Sequence, residues 1–411
     1  MPFTTLCPAI QQAIHDVGFS TPTPIQKSVI PLALERKDIM ARAQTGSGKS
    51  ASFVLPLLEL WHASKGEGKA KIKALILTPT RELTLQVAEA FGMFGKHLRV
   101  TPKVVSLIGG EKIGEQLYDI QQGCDIVVAT SGRLLDIMSK KQINLSFVEF
   151  FVLDEADKML DLGFEQELNA ILEALPSKRQ NLLFSATYPE KMQLIASKIT
   201  TNAIEVSVEE EHRSVESIIQ RAIKVNKESR APLLRQLLKE HQWKKVLVFM
   251  ANKRACENIA MKFRKHGFSA EAFHGDLIQE GRTWALNALK EGSVNILFAI
   301  DIAARGLHID DVECVINFDL PRSPLDYIHR IGRTGRAGKT GVAISFIDCD
   351  DEAHFSLIQK RCNVHVSKES IQGFERVGEA PKKEKGSAPI KGKRKSKKDK
   401  LREAQKEGAS S

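Results

Sequence analysis

Between a short apolar stretch, Asp38-Ile39-Met40-Ala41, and a helical one, Ala51-Ser52-Phe53-Val54-Leu55 with Leu57 and Leu58, stands the loop Ala43-Gln44-Thr45-Gly46-Ser47-Gly48-Lys49-Ser50. Strand, small-residue loop and helix are the context of a phosphate-binding P-loop. Small residues let successive backbone N–H groups converge on phosphate oxygens, and the helix N-terminus adds its positive end. Lys49 is expected to reach the β- and γ-phosphates, and the Ser50 hydroxyl to ligate Mg²⁺. Ala43 stands where the first glycine of G-x-x-x-x-G-K-[ST] is usual. The plainer alternative is a small-residue turn with a chance lysine.

Around this loop the chain alternates apolar runs with helical stretches. Ala74–Leu77, Val104–Leu107, Ile126–Ala129, Phe150–Leu153 and Asn181–Phe184 are apolar without a polar alternation. Such runs predict strands buried on both faces, hence a parallel sheet covered by helices. After a charged break at Glu209–Arg213 the pattern resumes with Val246–Phe249, Ile296–Ala299, Val315–Phe318 and Val342–Phe346, but without a second G-K-[ST] loop. The expected class is α/β with two units, 1–208 and 215–375, joined by a linker at 209–214 and followed by a tail, 376–411.

Charge separates that tail from the rest. Residues 380–411 carry twelve basic and four acidic groups, +8 of the chain's net +10. With few apolar residues, the tail is expected to be disordered on its own. No apolar run approaches the ~18 residues of a membrane span. The start, Met1-Pro2-Phe3-Thr4-Thr5, has neither a basic n-region nor an apolar h-region, so no secretory signal is expected. The six cysteines form no CxxC pair, which suits reduced thiols in a cytoplasmic protein.

Asp154-Glu155-Ala156-Asp157 follows directly on the run Phe150–Leu153. A buried strand ending in carboxylates offers them at the carboxyl edge of the sheet, where α/β proteins bind ligands. Asp154 suits a Mg²⁺ carboxylate and Glu155 a general base for water. The alternative is an acidic helix N-cap.

Asp-Glu-Ala-Asp is also the sequence that names the DEAD-box ATP-dependent RNA helicases, and the chain resembles them from about residue 3 to 365. Gly18-Phe19 through Gln26 is similar to the family's Q motif, Pro79-Thr80-Arg81-Glu82-Leu83 to motif Ia, and Ser185-Ala186-Thr187 to motif III. Gly109-Gly110 and Thr130-Ser131-Gly132-Arg133 resemble further RNA-contacting elements. In the second half Gln279 and Arg282 fit Q-x-x-R, Asp301 to Gly306 fits motif V, and His329 to Arg336 fits motif VI. The resemblance implies two tandem RecA-like domains, ATP and Mg²⁺ as cofactors, RNA as the partner, and a monomer of bacterial type, with the RhlE-like branch as a candidate placement.

Residue roles follow from the same resemblance and from side-chain chemistry. The Gln26 amide can pair with adenine, while Phe19, or Phe3 upstream, can stack on it. Arg333 and Arg336, three apart and so on one face if helical, would act as arginine fingers from the second domain. His329, Ser185 and Thr187 would couple hydrolysis to closure. Arg81, Gly110, Thr130, Arg133, Arg282 and Arg305 are the candidate RNA contacts, directed to phosphate and ribose with little sequence preference. Three departures stand out. Ser50 replaces the usual Thr. Ser131 replaces a Pro and is expected to loosen its turn. In motif V, Ile300 replaces a Thr and His308 an Asp, which predicts weaker RNA-coupled closure. The expected activity is RNA-stimulated ATP hydrolysis with local, non-processive duplex unwinding. The alternative is an ATP-gated RNA clamp with slow hydrolysis.

Overall fold

A computed structural model describes residues 2–43, 47–64, 70–208, 218–301, 312–335 and 340–378. The expectations for Gln44, Thr45, Gly46, Arg305, His308, Arg336, the 209–214 linker and the tail from 379 onward lie outside the described residues. Among the described residues no helix is long and apolar enough to cross a membrane.

The apolar runs form two separate seven-stranded sheets. The first contains β1 (Ile39–Arg42), β2 (Ala74–Thr78), β3 (Val104–Leu107), β4 (Ile126–Thr130), β5 (Phe150–Leu153), β6 (Gln180–Ser185) and β7 (Ile204–Ser207), in the order β3-β4-β2-β5-β6-β1-β7. Every pairing is parallel. Successive side chains point to opposite faces, so each strand supplies two cores. Ala74, Ile76, Phe150 and Val152 join the cluster beneath the N-terminal helices. Leu75, Leu77, Phe151 and Leu153 join the cluster on the other face. That two-sided burial is why these strands read as unbroken apolar runs.

The second sheet repeats the plan with β8 (Ile218–Lys224), β9 (Val246–Phe249), β10 (Ala270–Phe273), β11 (Ile296–Ala299), β12 (Cys314–Asn317), β13 (Gly341–Ile347) and β14 (Lys368–Glu369). Its order is β10-β11-β9-β12-β13-β8-β14, again parallel. The sequence reading misses β7, β8, β10 and β14 and sets β12 one residue late. These strands either lie toward a sheet edge or mix polar residues, as Ile-Ile-Gln-Arg-Ala-Ile-Lys does in β8. The fold also passes the expected boundary at 375, because Val377 N donates to Asn226 Oδ1 at 2.8 Å and Arg376 pairs with Glu352 at 2.8 Å.

Candidate active site and nucleic-acid interface

The strand order decides which loops meet. β5, β6 and β1 are adjacent, so the segments after them, Asp154–Asp157, Ser185–Thr187 and Ala43–Ser50, leave the same stretch of the carboxyl edge. Ala43 N donates to Ser185 O at 3.0 Å, continuing the β1–β6 ladder into the loop. The helix Lys49–Ser64 begins at Lys49 itself, which is buried.

Gly48 has a φ of +90°, and a Cβ there would lie 2.6 Å from Gln26 Nε2 and 2.9 Å from Thr23 Oγ1. Only glycine fits, because the Q-motif helix Pro24–Leu34 presses onto the loop. Gln26 Oε1 accepts from Thr23 N at 2.9 Å, and its Nε2 donates to Gly48 O at 3.2 Å. The amide thus ties turn to loop, and each end keeps one further hydrogen or lone pair for a base edge. Thr23 and Gln26 carried the sequence signal for this in the T-x-x-Q spacing of a capping box. Phe19 is exposed beside Phe94, with ring centroids 5.9 Å apart, whereas Phe3 sits in the core. Phe19 is therefore the aromatic with a free face.

Glu155 occupies the left-handed region, φ 50° and ψ 47°, at the turn from β5 into the helix Ala156–Asp161. A non-glycine residue held there stores about 1–3 kcal/mol of strain, a feature that clusters at functional sites. Its side chain caps nothing, so the N-cap alternative is not what the structure adopts. Instead its Oε1 lies 2.7 Å from Lys158 Nζ, both residues being buried. Burial alone would raise the carboxyl of Glu155, but Lys158 and then Lys49 more than offset it and hold it below the usual range. Burial raises the neighbouring Asp154 instead, against the pull of Lys49.

Asp157 links this turn to β6. Its Oδ2 accepts from Thr187 N and Oγ1 at 3.0 and 3.1 Å, and its backbone N donates to Ser185 Oγ at 3.3 Å. Ser185 Oγ in turn donates to Thr187 O at 2.6 Å. Sequence reasoning named Ser185 and Thr187 but not their partner Asp157, the last letter of the same tetrapeptide.

An oxygen-only pair, the Ser50 hydroxyl and the buried Asp154 carboxylate, fits Mg²⁺, which takes one or two protein oxygens and fills its other positions with phosphate and water. Asp154 is anchored for that role by its Oδ1, which accepts from Glu155 N at 2.9 Å.

The second domain meets this edge. The helix Pro324–Ile331 ends before Arg333, so the expectation that Arg333 and Arg336 share a helical face is corrected. The chain turns at Gly332-Arg333 and enters a bridge at Thr334 with Val312. The turn buries Arg333, whose charge acts on Glu155 and Lys158. His329 lies in the same seam. Its enclosure, then the charges of Lys158 and Arg333, pull its pKa down to about 4.

Arg330, passed over as a site residue, is the buried brace of this domain. It grips Asp301 with Nε and Nη2 at 2.5 and 2.8 Å, donates to Asn317 Oδ1 and Asp319 O, and stacks 4.8 Å over Phe249. It thereby fixes the ends of β9, β11 and β12 together. Its neighbours in the motif were the available signal.

A cavity of about 480 Å³ lies between the domains, lined by Arg81, Thr130, Arg133, Gly275 and Arg282 among others. Gly110, φ +84°, admits the Arg81 guanidinium, since a Cβ there would lie 2.2 Å from Nη1. Arg133 is set by Gln116 Oε1 and Glu111 O, both at 2.9 Å, and Thr130 Oγ1 donates to Leu107 O at 3.3 Å. Ser131 is buried and opens the helix Ser131–Ser139. Arg282, expected as an RNA contact, lines this cavity from a braced position. It is buried, pairs across the cleft with Glu82 at 2.6 Å and donates to His274 O at 3.0 Å. The charges of Arg282 and Arg133 oppose that of Arg81, with Glu82 and Glu111 partly offsetting them, and an anionic backbone would relieve the remainder.

Two family models match the chain, "DEAD/DEAH box helicase" over residues 23–195 and "Helicase conserved C-terminal domain" over residues 229–338. The DEAD-box ATP-dependent RNA helicase CshA of Bacillus subtilis is 40% identical over 351 residues, 85% of this chain and 70% of that protein. The DEAD-box ATP-dependent RNA helicase 40 of Arabidopsis thaliana is 40% identical over 84% of this chain and 32% of that one. Among solved structures, Mss116p bound to single-stranded RNA and AMP-PNP superimposes with a TM-score of 0.80 at 28% identity, covering 90% of this chain and 78% of that. Saccharomyces cerevisiae Dbp5 bound to RNA and ADP-BeF3 gives 0.76 at 30% identity, covering 89% and 94%.

Proposed function

The chain belongs to the DEAD-box ATP-dependent RNA helicases, and from that premise we propose how its own residues divide the work. The P-loop backbone and Lys49 bind the β- and γ-phosphates of ATP, with Phe19 and Gln26 holding the base. Ser50 and Asp154 would hold Mg²⁺, which when bound neutralises phosphate charge. Glu155 orients the attacking water and takes its proton. Arg333, with Arg336, brings positive charge from the second domain to the phosphoryl group. Asp157, Ser185, Thr187 and His329 couple this seam to the RNA cavity. Arg81, Gly110, Thr130, Arg133 and Arg305 meet the RNA backbone, giving little sequence preference. Arg282 serves that cavity by bracing it.

One observation carries this reading. The buried Glu82–Arg282 pair joins residues 200 positions apart at the wall of the cavity that holds Arg81 and Arg133. Closing the domains therefore builds the cavity and brings Arg333 to Glu155 in one motion. Such a closure supports local, non-processive remodelling of short duplexes, and a cytoplasmic monomer is the setting proposed for it. The test is release of a labelled strand from a short RNA duplex, with ATP turnover measured alongside. Strand release that requires ATP and is lost in Glu155→Gln is expected. RNA binding and turnover without strand release would select the clamp instead.

A further inference from the structure

Lys158 has no part in the division of work above, yet its placement is the least ordinary in the seam. It is 3% exposed on the six-residue helix that follows Glu155. A buried lysine costs several kcal/mol unless an anion compensates it. The anion in reach is Glu155, 2.7 Å from Nζ. Geometry makes this an ion pair rather than a settled hydrogen bond. Neither Lys158 Nζ nor Glu155 Oε2 has a hydrogen-bond partner among the described residues. A purely structural brace would have its donors satisfied, as Arg330 does. Here the carboxylate is fixed at one oxygen by charge, and its other oxygen is left for a proton donor.

The surroundings explain why charge is needed to hold it. Glu155 faces Lys158 on its own helix, Lys49 at the P-loop and Arg333 from the second domain, with Asp154 beside it as a like charge. Lys158 in turn faces Glu155, Arg333 and Lys49, and its charge reaches His329, which Asp157 also faces. Without Lys158, the Glu155 carboxylate would be free to swing toward Lys49 or Arg333, the cations assigned to phosphate. Glu155, left-handed in its backbone, precedes the helix on which Lys158 stands three residues on.

We propose that Lys158 is a positioning residue for Glu155, holding one carboxylate oxygen so that the other faces the water. This rests on Glu155 being the base. It predicts a loss in the chemical step and not in ligand binding, because Lys158 acts through Glu155 and not on phosphate.

The experiment uses the full chain with saturating RNA and compares Lys158→Met, Lys158→Gln, Lys158→Arg and Glu155→Gln. For Lys158→Met and Lys158→Gln, kcat for ATP is expected to fall at least about tenfold, as misplaced catalytic groups do. KM for ATP and RNA affinity with a non-hydrolysable ATP analogue should stay within about twofold, and Lys158→Arg should restore most of kcat. In Glu155→Gln, adding Lys158→Met should cost nothing further. Unchanged kcat in both neutral variants would overturn the proposal, as would a matching loss in Lys158→Arg or a rise in KM equal to the fall in kcat. Should both neutral variants fail to fold, Lys158→Arg decides, since it keeps the charge: kcat above half of wild type supports the proposal and a tenfold loss overturns it. Full turnover in Glu155→Gln would instead remove the premise about the base.

Discussion

A single hydrogen on Cα decides whether the nucleotide loop can close. At Gly48 a methyl group would collide with the Gln26 amide, and the positive φ would strain any side chain. Gly48→Ala is expected to cost about 1–3 kcal/mol at this site and so to weaken ATP affinity roughly tenfold, read by titration of a fluorescent ATP analogue. Ile300 poses the opposite question. It is half-buried and packs against the clusters on both faces of the second sheet, so an apolar group stands where the family resemblance implies a threonine hydroxyl. Ile300→Thr combined with His308→Asp is expected to raise RNA-stimulated ATPase and RNA affinity. Unchanged values for both would show that the departures are neutral. Gly48 was legible in the sequence because backbone chemistry at a P-loop is local. The burial of Arg282 was not, because its partner Glu82 is 200 residues away.

At the scale of elements, three adjacent strands deliver the site, and the turn after one helix answers it from the other domain. β5, β6 and β1 were each readable as apolar runs, but their adjacency was not, since pairing order leaves no mark on a buried strand. The helix Pro324–Ile331 shows the same limit. A three-residue spacing suggested a helical face for Arg333, yet the helix stops at Ile331 because Thr334 is drawn into a bridge with Val312. On that helix His329 feels the charges of Lys158 and Arg333. Its pKa is lowered from 6.5 to about 4, so the closed protein binds fewer protons here than the open or unfolded chain. The contribution is present above the ordinary histidine pKa and is lost as pH falls from about 6.5 toward 4. RNA affinity measured with a non-hydrolysable ATP analogue is expected to drop through that window, with a shallower drop in His329→Gln. Equal slopes in the two proteins would assign the effect elsewhere.

The whole molecule is two nearly neutral α/β units, joined across the cleft by the buried Glu82–Arg282 pair, and a basic tail. Glu82→Gln would leave a buried guanidinium uncompensated, a loss that runs to about 3–5 kcal/mol in buried pairs. It is expected to weaken ATP-dependent RNA binding by at least about tenfold and to lower the closed fraction seen by fluorescence transfer between the domains. Removing residues 380–411, with +8 of the net charge, should lower RNA affinity and flatten its dependence on salt. Unchanged binding at low salt would make the tail a solubilising extension. The sequence by itself determined the nucleotide loop, the carboxylates after β5, the α/β class and the charged tail. Each of these is written in consecutive residues whose backbone and side-chain chemistry act locally. Tertiary structure alone decided that Glu155 pairs with Lys158, that Arg282 is buried against Glu82, and that Arg333 stands in a turn beyond its helix. Those outcomes depend on which strands neighbour one another and on charges that meet only when two sheets face across a cleft.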